Sequence, residues 1–140
     1  MGILSGKTAL IFGIANERSI AWGIAKAFHQ EGATLGFSYA GEIIEKRIKP
    51  LAQSMGVSFV EPCDVSRDED ITAVAEKAQQ AFGQVDILVH SIGFANKEEL
   101  EGAYMRTSRA GFHTAMDISV YSFTARPRRL APFCARAGRC

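Results

Sequence analysis

The chain alternates short apolar runs with longer amphipathic segments. Four short runs have the composition of buried strands, and the segments between them repeat apolar residues at helical spacing. The predicted strands are Thr8–Phe12, Ala33–Ser38, Val57–Val60 and Val85–His90. The first predicted helix begins within two residues of Ser19. The other predicted helices are Gly41–Met55, Asp68–Phe82 and Ser108–Thr124. Strands that alternate with helices of this length favour β-α-β units and a parallel sheet.

We therefore predict an α/β fold, a truncated Rossmann-type, doubly wound parallel sheet of about four strands in the order 3-2-1-4. Right-handed crossovers place the C-terminal ends of all the strands on one edge of this sheet. Gly13, Tyr39–Ala40, Asp64–Val65 and Ser91–Gly93 all fall on that edge. Open α/β sheets bind their ligands there, so the pattern predicts a ligand site.

The first strand runs into Gly13, and Ser19 then precedes the first helix. A strand, a glycine turn and a helix N-terminus form a dinucleotide site, because free N–H groups and the positive end of the helix dipole meet a pyrophosphate. Gly13 would let the backbone approach that group without a Cβ in the way. The spacing differs from the common G-x-G-x-x-G motif, and a glycine after a strand is often only a turn.

Composition excludes several classes of protein. At 140 residues and 47% hydrophobic, the chain is long enough for one core and too short for two. A net charge of +1 does not favour nucleic-acid or membrane partners, and no segment resembles a membrane span or a signal peptide. The cysteines, Cys63, Cys134 and Cys140, form no C-x-x-C pair. They are typical of free thiols in a reducing cytoplasm, and we expect no metal site.

Several motifs occur in order along the chain. They are Met1-Gly-Ile-Leu-Ser-Gly-Lys, Gly13-x5-Ser19-Ile-Ala-Trp-Gly-Ile-Ala, Cys63-Asp-Val, His90-Ser-Ile-Gly-Phe-Ala95 and Asp117-Ile-Ser-x-Tyr-Ser. Together they resemble the bacterial NADH-dependent enoyl-acyl-carrier-protein reductases, a divergent branch of the short-chain dehydrogenase/reductase family. The resemblance runs from Met1 to about Ala125 and continues more weakly to Phe133.

The resemblance implies NAD as the cofactor and assigns residues to it. The implied cofactor-binding residues are Gly13, Ser19, Ile20, Asp64, Val65 and Ile92. The first three would hold the pyrophosphate and the nearby ribose, the next two would face the adenine, and the last would line the nicotinamide side. Ala95 would lie at the mouth of the acyl site. Ala40 departs from the pattern, because the family often places a glutamine there to contact the adenosine, and its loss would weaken affinity.

Some of these positions also fit structural roles. Asp64 precedes a helix rich in acids, so it also fits the role of a turn or capping residue. His90 ends a strand and fits a packed structural histidine. His90, Ser91 and Asp117 are the residue types of a hydrolase triad, but no nucleophile elbow surrounds the serine, which argues against that reading.

Catalysis in this family requires a tyrosine and, seven positions later, a lysine on the same face of a helix. The lysine holds the nicotinamide ribose and favours the ionised tyrosine, whose hydroxyl polarises the thioester carbonyl. One pair here has this spacing, Tyr39 and Lys46. It follows the second strand, where the adenosine half of the cofactor belongs, so we interpret it as coincidence. We therefore assign no catalytic residue and expect the chain as written to be inactive, with the catalytic helix downstream of Cys140.

The composition changes at Arg126. Residues 126–140 contain five arginines and no acid, and Pro127 should break the preceding helix. We interpret residues 1–125 as the dinucleotide-binding half of a short-chain reductase domain and residues 126–140 as an aberrant basic tail. A frameshift near Cys134 is one explanation. The tail has no recognisable nucleic-acid-binding motif, so a nucleic-acid patch is not favoured.

Three functions remain open. The first is NADH-dependent reduction of a trans-2-enoyl thioester on acyl carrier protein in fatty-acid synthesis, the second is an inactive nucleotide-binding fragment, and the third is another short-chain reductase. NAD and NADP are not distinguished, because Ser38-Tyr39 ends the second strand without an adjacent Asp or Arg. The resemblance implies a homotetramer, which we do not expect a truncated chain to assemble.

Overall fold

The structure is a computed structural model that describes residues 2–130, and it contains a four-stranded parallel sheet with helices on both faces. The elements are β1 Thr8–Phe12, α1 Ile20–Gln30, β2 Thr34–Tyr39, α2 Glu42–Ser54, β3 Phe59–Pro62, α3 Asp68–Phe82, β4 Ile87–His90, α4 Arg109–Met116 and α5 Ser122–Leu130. Short 3-10 turns at Lys97–Glu99 and Tyr104–Arg106 follow β4. The strand order is β3-β2-β1-β4 and every pair is parallel, which confirms the predicted fold class.

The central strand β1 is buried on both faces. Ala9 and Ile11 belong to the apolar cluster under α1 and α2, whereas Leu10 and Phe12 belong to the cluster under α3 and α5. Each of the four is at most 2% exposed. Burial on both faces explains why this strand is a continuous apolar run rather than an alternating one.

The first helix begins as predicted, at Ile20 directly after Ser19. Trp22 on α1 is buried and packs edge-on against Phe37 of β2, with ring centroids 6.4 Å apart. This contact attaches α1 to the sheet, so the position of the helix N-terminus is defined by the core.

The prediction that the third strand begins at Val57 is wrong. The Val57 N–H donates to the Ala52 carbonyl at 2.9 Å, and Gly56 has a φ of +67°. Val57 therefore closes the C-terminal turn of α2, in the pattern that commonly ends helices, and β3 begins only at Phe59. The limits of two other strands also move by one or two residues, to Thr34–Tyr39 and Ile87–His90.

The prediction that Pro127 ends the last helix is also wrong. α5 runs from Ser122 to Leu130 through Pro127. A proline inside a helix costs about 3 kcal/mol, because it removes one hydrogen bond and crowds the preceding turn. Ser122 and Ala125 are buried, and Ala125 lies in the same cluster as the apolar residues of α3. This packing offsets the cost of the proline.

The helix predicted over Ser108–Thr124 is in fact two helices joined by a π-helical turn at Asp117–Tyr121. The predicted start at Ser108 is confirmed. Ser108 is the N-cap of α4, and its Oγ accepts the Gly111 N–H at 3.0 Å. Ser119 lies on this π turn and contacts Phe94 in the loop after β4.

Asp86 joins the beginnings of β1 and β4. Its N–H donates to the Thr8 carbonyl at 2.9 Å, and its carboxylate accepts the Thr8 N–H at 2.9 Å. Lys7 and Gln84 donate to the other carboxylate oxygen. Burial of Asp86 opposes its ionisation, but these hydrogen bonds and the nearby charge of Lys7 outweigh burial and lower its pKa below the usual 3.8.

We predict that Asp86→Asn destabilises the fold, and more so at neutral than at acid pH. The folded-state pKa lies below the unfolded value, so the ionised carboxylate stabilises the fold above about pH 3.8, and this contribution is lost as pH falls through the lowered pKa. Urea unfolding should show that the free energy of unfolding falls by about 2 kcal/mol at pH 7. The loss should be smaller at the lowest pH at which the wild type still folds. Exposed Glu98→Gln is the control, and an equal loss at both pH values would contradict the assignment.

Candidate functional site

A cavity of about 480 Å³ lies at the C-terminal edge of the sheet. Its walls are residues 12–15, 38–40, 63–65 and 91–94, together with Ile44 and Ile118. The four ranges follow or end the four strands, so the edge predicted from the sequence forms one site. The volume lies within the ~300–1,000 Å³ typical of small-molecule sites.

Four of the six predicted cofactor-binding residues line this cavity. They are Gly13 after β1, Asp64 and Val65 after β3, and Ile92 after β4. Their sequence positions are far apart, and only the parallel arrangement of the strands brings them together. The structure thus places them suitably for one ligand, while their individual contacts with a cofactor stay predictions.

The other predicted residues lie outside the cavity lining. Ser19 and Ile20 are at the start of α1, and the Ile20 side chain is 78% exposed. Ala95 is half-buried and directly follows the lining residue Phe94. The structure does not place these three residues in the cavity wall, so their contacts with a cofactor or an acyl chain stay predictions.

The N-terminus of α1 carries no capping side chain. Ser19 occupies the cap position, but its hydroxyl donates to the Asn16 carbonyl at 2.7 Å instead of accepting a helix N–H. The first turn contains no acid, in contrast to α2 and α3. The helix dipole at this end is therefore not compensated by a charged side chain of the first turn, which is the condition that favours an anion.

Gly13 is required by the fold itself. Its φ is +104°, and a Cβ at this position would lie 1.9 Å from the Ser91 carbonyl oxygen. The Ser91 N–H also donates to the Phe12 carbonyl at 3.0 Å, so the loop after β4 continues alongside β1. Close approach of a ligand is thus not the only reason for glycine at position 13, because the contact between the two loops already demands it.

The Asp64 carboxylate stabilises a turn with one oxygen, and its other oxygen can accept a hydrogen bond from a ligand. Its Oδ1 accepts both the Ser66 N–H at 2.9 Å and the Ser66 hydroxyl at 2.6 Å. The hydrogen bonds from Ser66 lower the pKa of Asp64 below its usual value, so the carboxylate is charged at neutral pH. Because both bonds go to Oδ1, Oδ2 can accept a hydrogen bond from a ligand at the cavity wall.

A single hydroxyl holds the loop after β4. Ser119 Oγ accepts the Phe94 N–H at 3.0 Å and donates to the Phe94 carbonyl at 3.2 Å. Ser119 lies on the π-helical turn, and its neighbour Ile118 lines the cavity. The π turn thus positions the wall of the site that Ile92 and Phe94 form.

His90 has a structural partner. Its Nε2 lies 2.9 Å from Ser122 Oγ, and the Ser122 hydroxyl donates to the Ile118 carbonyl at 2.6 Å. Since the single Ser122 proton is used in that bond, His90 Nε2 is the donor to Ser122. This geometry agrees with a packed histidine and places Nε2 against Ser122 rather than in a triad with Ser91.

The Tyr39 environment is opposite to that of an activated tyrosine. Burial raises the pKa of the Tyr39 hydroxyl, and the charge of Glu45 raises it further. The cation close to this group is Lys49, which forms an ion pair with Glu45. Lys49 lowers the pKa of Tyr39, but burial and Glu45 outweigh it. A catalytic tyrosine needs a cation whose effect prevails, so the environment of Tyr39 supports our interpretation of the Tyr39 and Lys46 spacing as coincidence.

Ser38, Cys63 and Ile118 line the cavity and were not predicted as site residues. Alternation along β2 is a signal for Ser38, because it places Ser38 on the face opposite to the buried Phe37. Cys63 is buried and directly follows β3. No sequence signal identifies Ile118, because its position depends on the π turn.

Two kinds of feature are absent from residues 2–130. No group of three or more His, Cys, Asp or Glu side chains in that range is placed to hold a metal ion. None of the helices in the same range has the length and apolarity needed to cross a bilayer.

Comparison with known proteins gives consistent matches. Residues 13–140 match the family described as enoyl-(acyl carrier protein) reductase. The NADH enoyl-(acyl-carrier-protein) reductase FabI of Aquifex aeolicus is 54% identical over 132 residues, which are 94% of this chain and 49% of that protein. The NADH enoyl-(acyl-carrier-protein) reductase 2 of Rhizobium meliloti is 44% identical over 98% of this chain and 51% of that protein. The chain therefore spans about half the length of the curated relatives it matches.

Solved structures agree with these matches. The crystal structure of the Aquifex aeolicus enzyme superposes with a TM-score of 0.92 at 53% identity, over 95% of this chain and 53% of that one. The Anaplasma phagocytophilum enoyl-(acyl-carrier-protein) reductase, solved in complex with NAD, superposes with a TM-score of 0.90 at 41% identity. That match covers 96% of this chain and 52% of the other.

We predict that Gly13→Ala destabilises the chain more than Gly41→Ala. Both glycines have positive φ, +104° and +81°, but a Cβ at Gly41 meets no atom within 4 Å. The common backbone strain therefore cancels in the comparison, and the clash with Ser91 remains. The difference in unfolding free energy should be about 1–3 kcal/mol, measured by urea unfolding. Equal losses would show that the two loops separate without cost.

Proposed function

The chain belongs to the enoyl-(acyl carrier protein) reductase family, and we propose that it forms the NADH-binding half of such a reductase. The substrate class of the whole enzyme would be trans-2-enoyl thioesters on acyl carrier protein. The observation that carries this proposal is the cavity at the C-terminal edge of the sheet, where Gly13, Asp64, Val65 and Ile92 come together.

The residues present fit a dinucleotide. The Gly13 loop and the uncompensated N-terminus of α1, with Ser19 and Ile20, would hold the pyrophosphate and the nearby ribose. Asp64 would accept a hydrogen bond from the adenine amino group, and Val65 would pack beside the ring. Ile92 would line the nicotinamide side. The cofactor, when bound, supplies the hydride, and this half of the domain holds and orients it.

The acyl site would begin where the loop after β4 leaves the cavity. Ala95 is half-buried beside Phe94, whose backbone is held by Ser119. A small residue there leaves room for a chain that enters next to the nicotinamide. This placement supports Ala95 as a substrate-binding residue and assigns it no chemical step.

The domain division remains a proposal. We propose residues 1–125 as the dinucleotide-binding half of a short-chain reductase domain. α5 continues to Leu130, so the proposed limit at residue 125 falls inside a helix. The part of the basic tail at residues 131–140 lies outside the described residues.

Exposed apolar residues on α4 and α5 support the proposal that these helices contact another subunit in the whole enzyme. Their exposed apolar residues, together with Tyr121 of the turn between them, are 41–53% exposed: Phe112, Met116, Tyr121 and Phe123. A homotetramer of the whole enzyme would bury such residues. In a chain of these 140 residues they would stay in contact with water or promote association.

One observation favours a non-catalytic role for these 140 residues by themselves. The pKa of Tyr39 is raised by burial and by Glu45, and no other tyrosine has a lysine seven positions later. A nucleotide-binding fragment is therefore the second candidate function. It shares the cofactor site of the first candidate and differs from it in lacking turnover.

We predict that the 140-residue chain binds NADH and that Ala40→Gln tightens the binding roughly fivefold. Ala40 lines the cavity beside Tyr39, and one added hydrogen bond to the adenosine contributes about 1 kcal/mol. The dissociation constant can be measured by the change in NADH fluorescence on titration with protein. A gain in affinity cannot arise from misfolding.

The control is Ala27→Gln, which makes the same change at an exposed position of α1. It should leave NADH affinity unchanged. If Ala40→Gln binds NADH with the same affinity as the wild type, position 40 does not contact the adenosine. If the wild type does not bind NADH, the proposed function is contradicted.

We also predict that the 140-residue chain does not oxidise NADH in the presence of crotonyl thioester. Without an activated tyrosine no side chain polarises the thioester carbonyl, and loss of one such donor typically costs about 10²–10³ in rate. NADH absorbance should fall no faster than in a sample without protein. The intact Aquifex aeolicus reductase is the positive control. Turnover near that of the intact enzyme would require a catalytic role for Tyr39 and Lys46.

A further inference from the structure

Ser38 has a buried hydroxyl for which the fold supplies no partner. Its side chain is 1% exposed, and within residues 2–130 its Oγ is a buried polar atom without a hydrogen-bond partner. Ser38 also lines the cavity. A buried hydroxyl without a partner is both rare and costly in proteins, so the atom calls for a partner outside the chain.

The position of Ser38 directs it to one end of the cavity. In the sheet it pairs with Phe12 of β1 and Glu61 of β3. Phe37, its neighbour on β2, packs on the opposite face of the sheet. Ser38 therefore lies between the part of the wall that residues 12–15 form and the part that residues 63–65 form, and the second part belongs to the adenosine end in the proposed function.

The nicotinamide end lies on the other side of β1. The strand order β3-β2-β1-β4 separates β2 from β4 by one strand. With neighbouring strands ~4.8 Å apart, Ser38 and the loop after β4 are separated by about 10 Å across the sheet. Ser38 is thus placed to contact the adenosine half of a bound dinucleotide and not its nicotinamide.

We propose that Ser38 is a ligand-binding residue whose hydroxyl forms a hydrogen bond with the adenosine half of the dinucleotide held in the cavity. This inference rests on the proposed function and extends it to a residue that the resemblance does not assign. A serine hydroxyl is one donor and two acceptors, so it matches the ribose hydroxyls and the ring nitrogens of adenine. The same hydroxyl has no structural bond to lose, so its contribution to ligand binding can be separated from any contribution to folding.

The test compares Ser38→Ala, Ser38→Cys and the control Ser58→Ala in the full 140-residue chain. Ser58 is exposed and lies outside this cavity. Ser38→Ala should leave the melting temperature of the ligand-free chain unchanged or raise it, because it removes a polar atom that has no partner. The same variant should weaken NADH binding by about 5- to 20-fold. Ser38→Cys keeps the side-chain shape but not the strong hydrogen bond, so it should lose affinity to a similar extent.

Cofactor fragments locate the contact. Ser38→Ala should weaken the binding of 5′-AMP by the same factor as the binding of NADH. It should leave the binding of reduced nicotinamide mononucleotide unchanged. The control Ser58→Ala should match the wild type for all three probes. Titration calorimetry with each probe gives the dissociation constants.

Three results would overturn the inference. If Ser38→Ala binds NADH and AMP as tightly as the wild type, the hydroxyl makes no ligand contact, and the proposed function is unaffected. If Ser38→Ala lowers the melting temperature of the ligand-free chain and keeps its affinity, the hydroxyl serves the fold, for example through an ordered water. If the wild type binds neither NADH nor AMP, the proposed function fails and this inference fails with it.

Discussion

The parallel pairing of β1 with both β2 and β4 is the constraint on which the rest of the structure depends. The chain first builds β2 and β3 on one side of β1 and then returns to place β4 on the other side. The loops after β1 and β4 meet so closely that residue 13 has no space for a Cβ beside Ser91. A crevice opens where the crossovers change direction, and the cavity lies in that crevice.

The architecture could be predicted because its signals are local, whereas the errors arise from non-local contacts. Apolar runs on each side of amphipathic helices predict a parallel sheet, and the strand order follows from the crossovers and from the family resemblance. The start of β3 depends on the bond between Val57 and Ala52 that closes α2. The passage of α5 through Pro127 depends on the burial of Ala125 in the cluster under α3. Neither contact is visible in the residues around the boundary itself.

The candidate site could be predicted where its residues lie within two positions after the end of a strand. Gly13, Asp64 and Ile92 meet that condition, and all three line the cavity. Ser38 is the next-to-last residue of β2 and Ile118 lies on a π turn, so a search of the residues that follow strands does not find them. The turn and ligand roles of Asp64 looked like alternatives in the sequence. In the structure they are compatible, because Ser66 uses one carboxylate oxygen and leaves the other for a ligand.

The three long helices of the sheet differ in how their N-termini are neutralised. α2 begins with Glu42 and Glu45, and α3 with three acids, so each supplies negative charge to its own dipole. α1 has no acid in its first turn, and the Ser19 hydroxyl is directed to Asn16. An acid at a helix N-terminus contributes typically ~0.3–1 kcal/mol, and α1 lacks this contribution in the ligand-free chain. An anionic group bound there would supply the missing charge, so the stability of this half-domain and its proposed affinity for a dinucleotide depend on the same helix end.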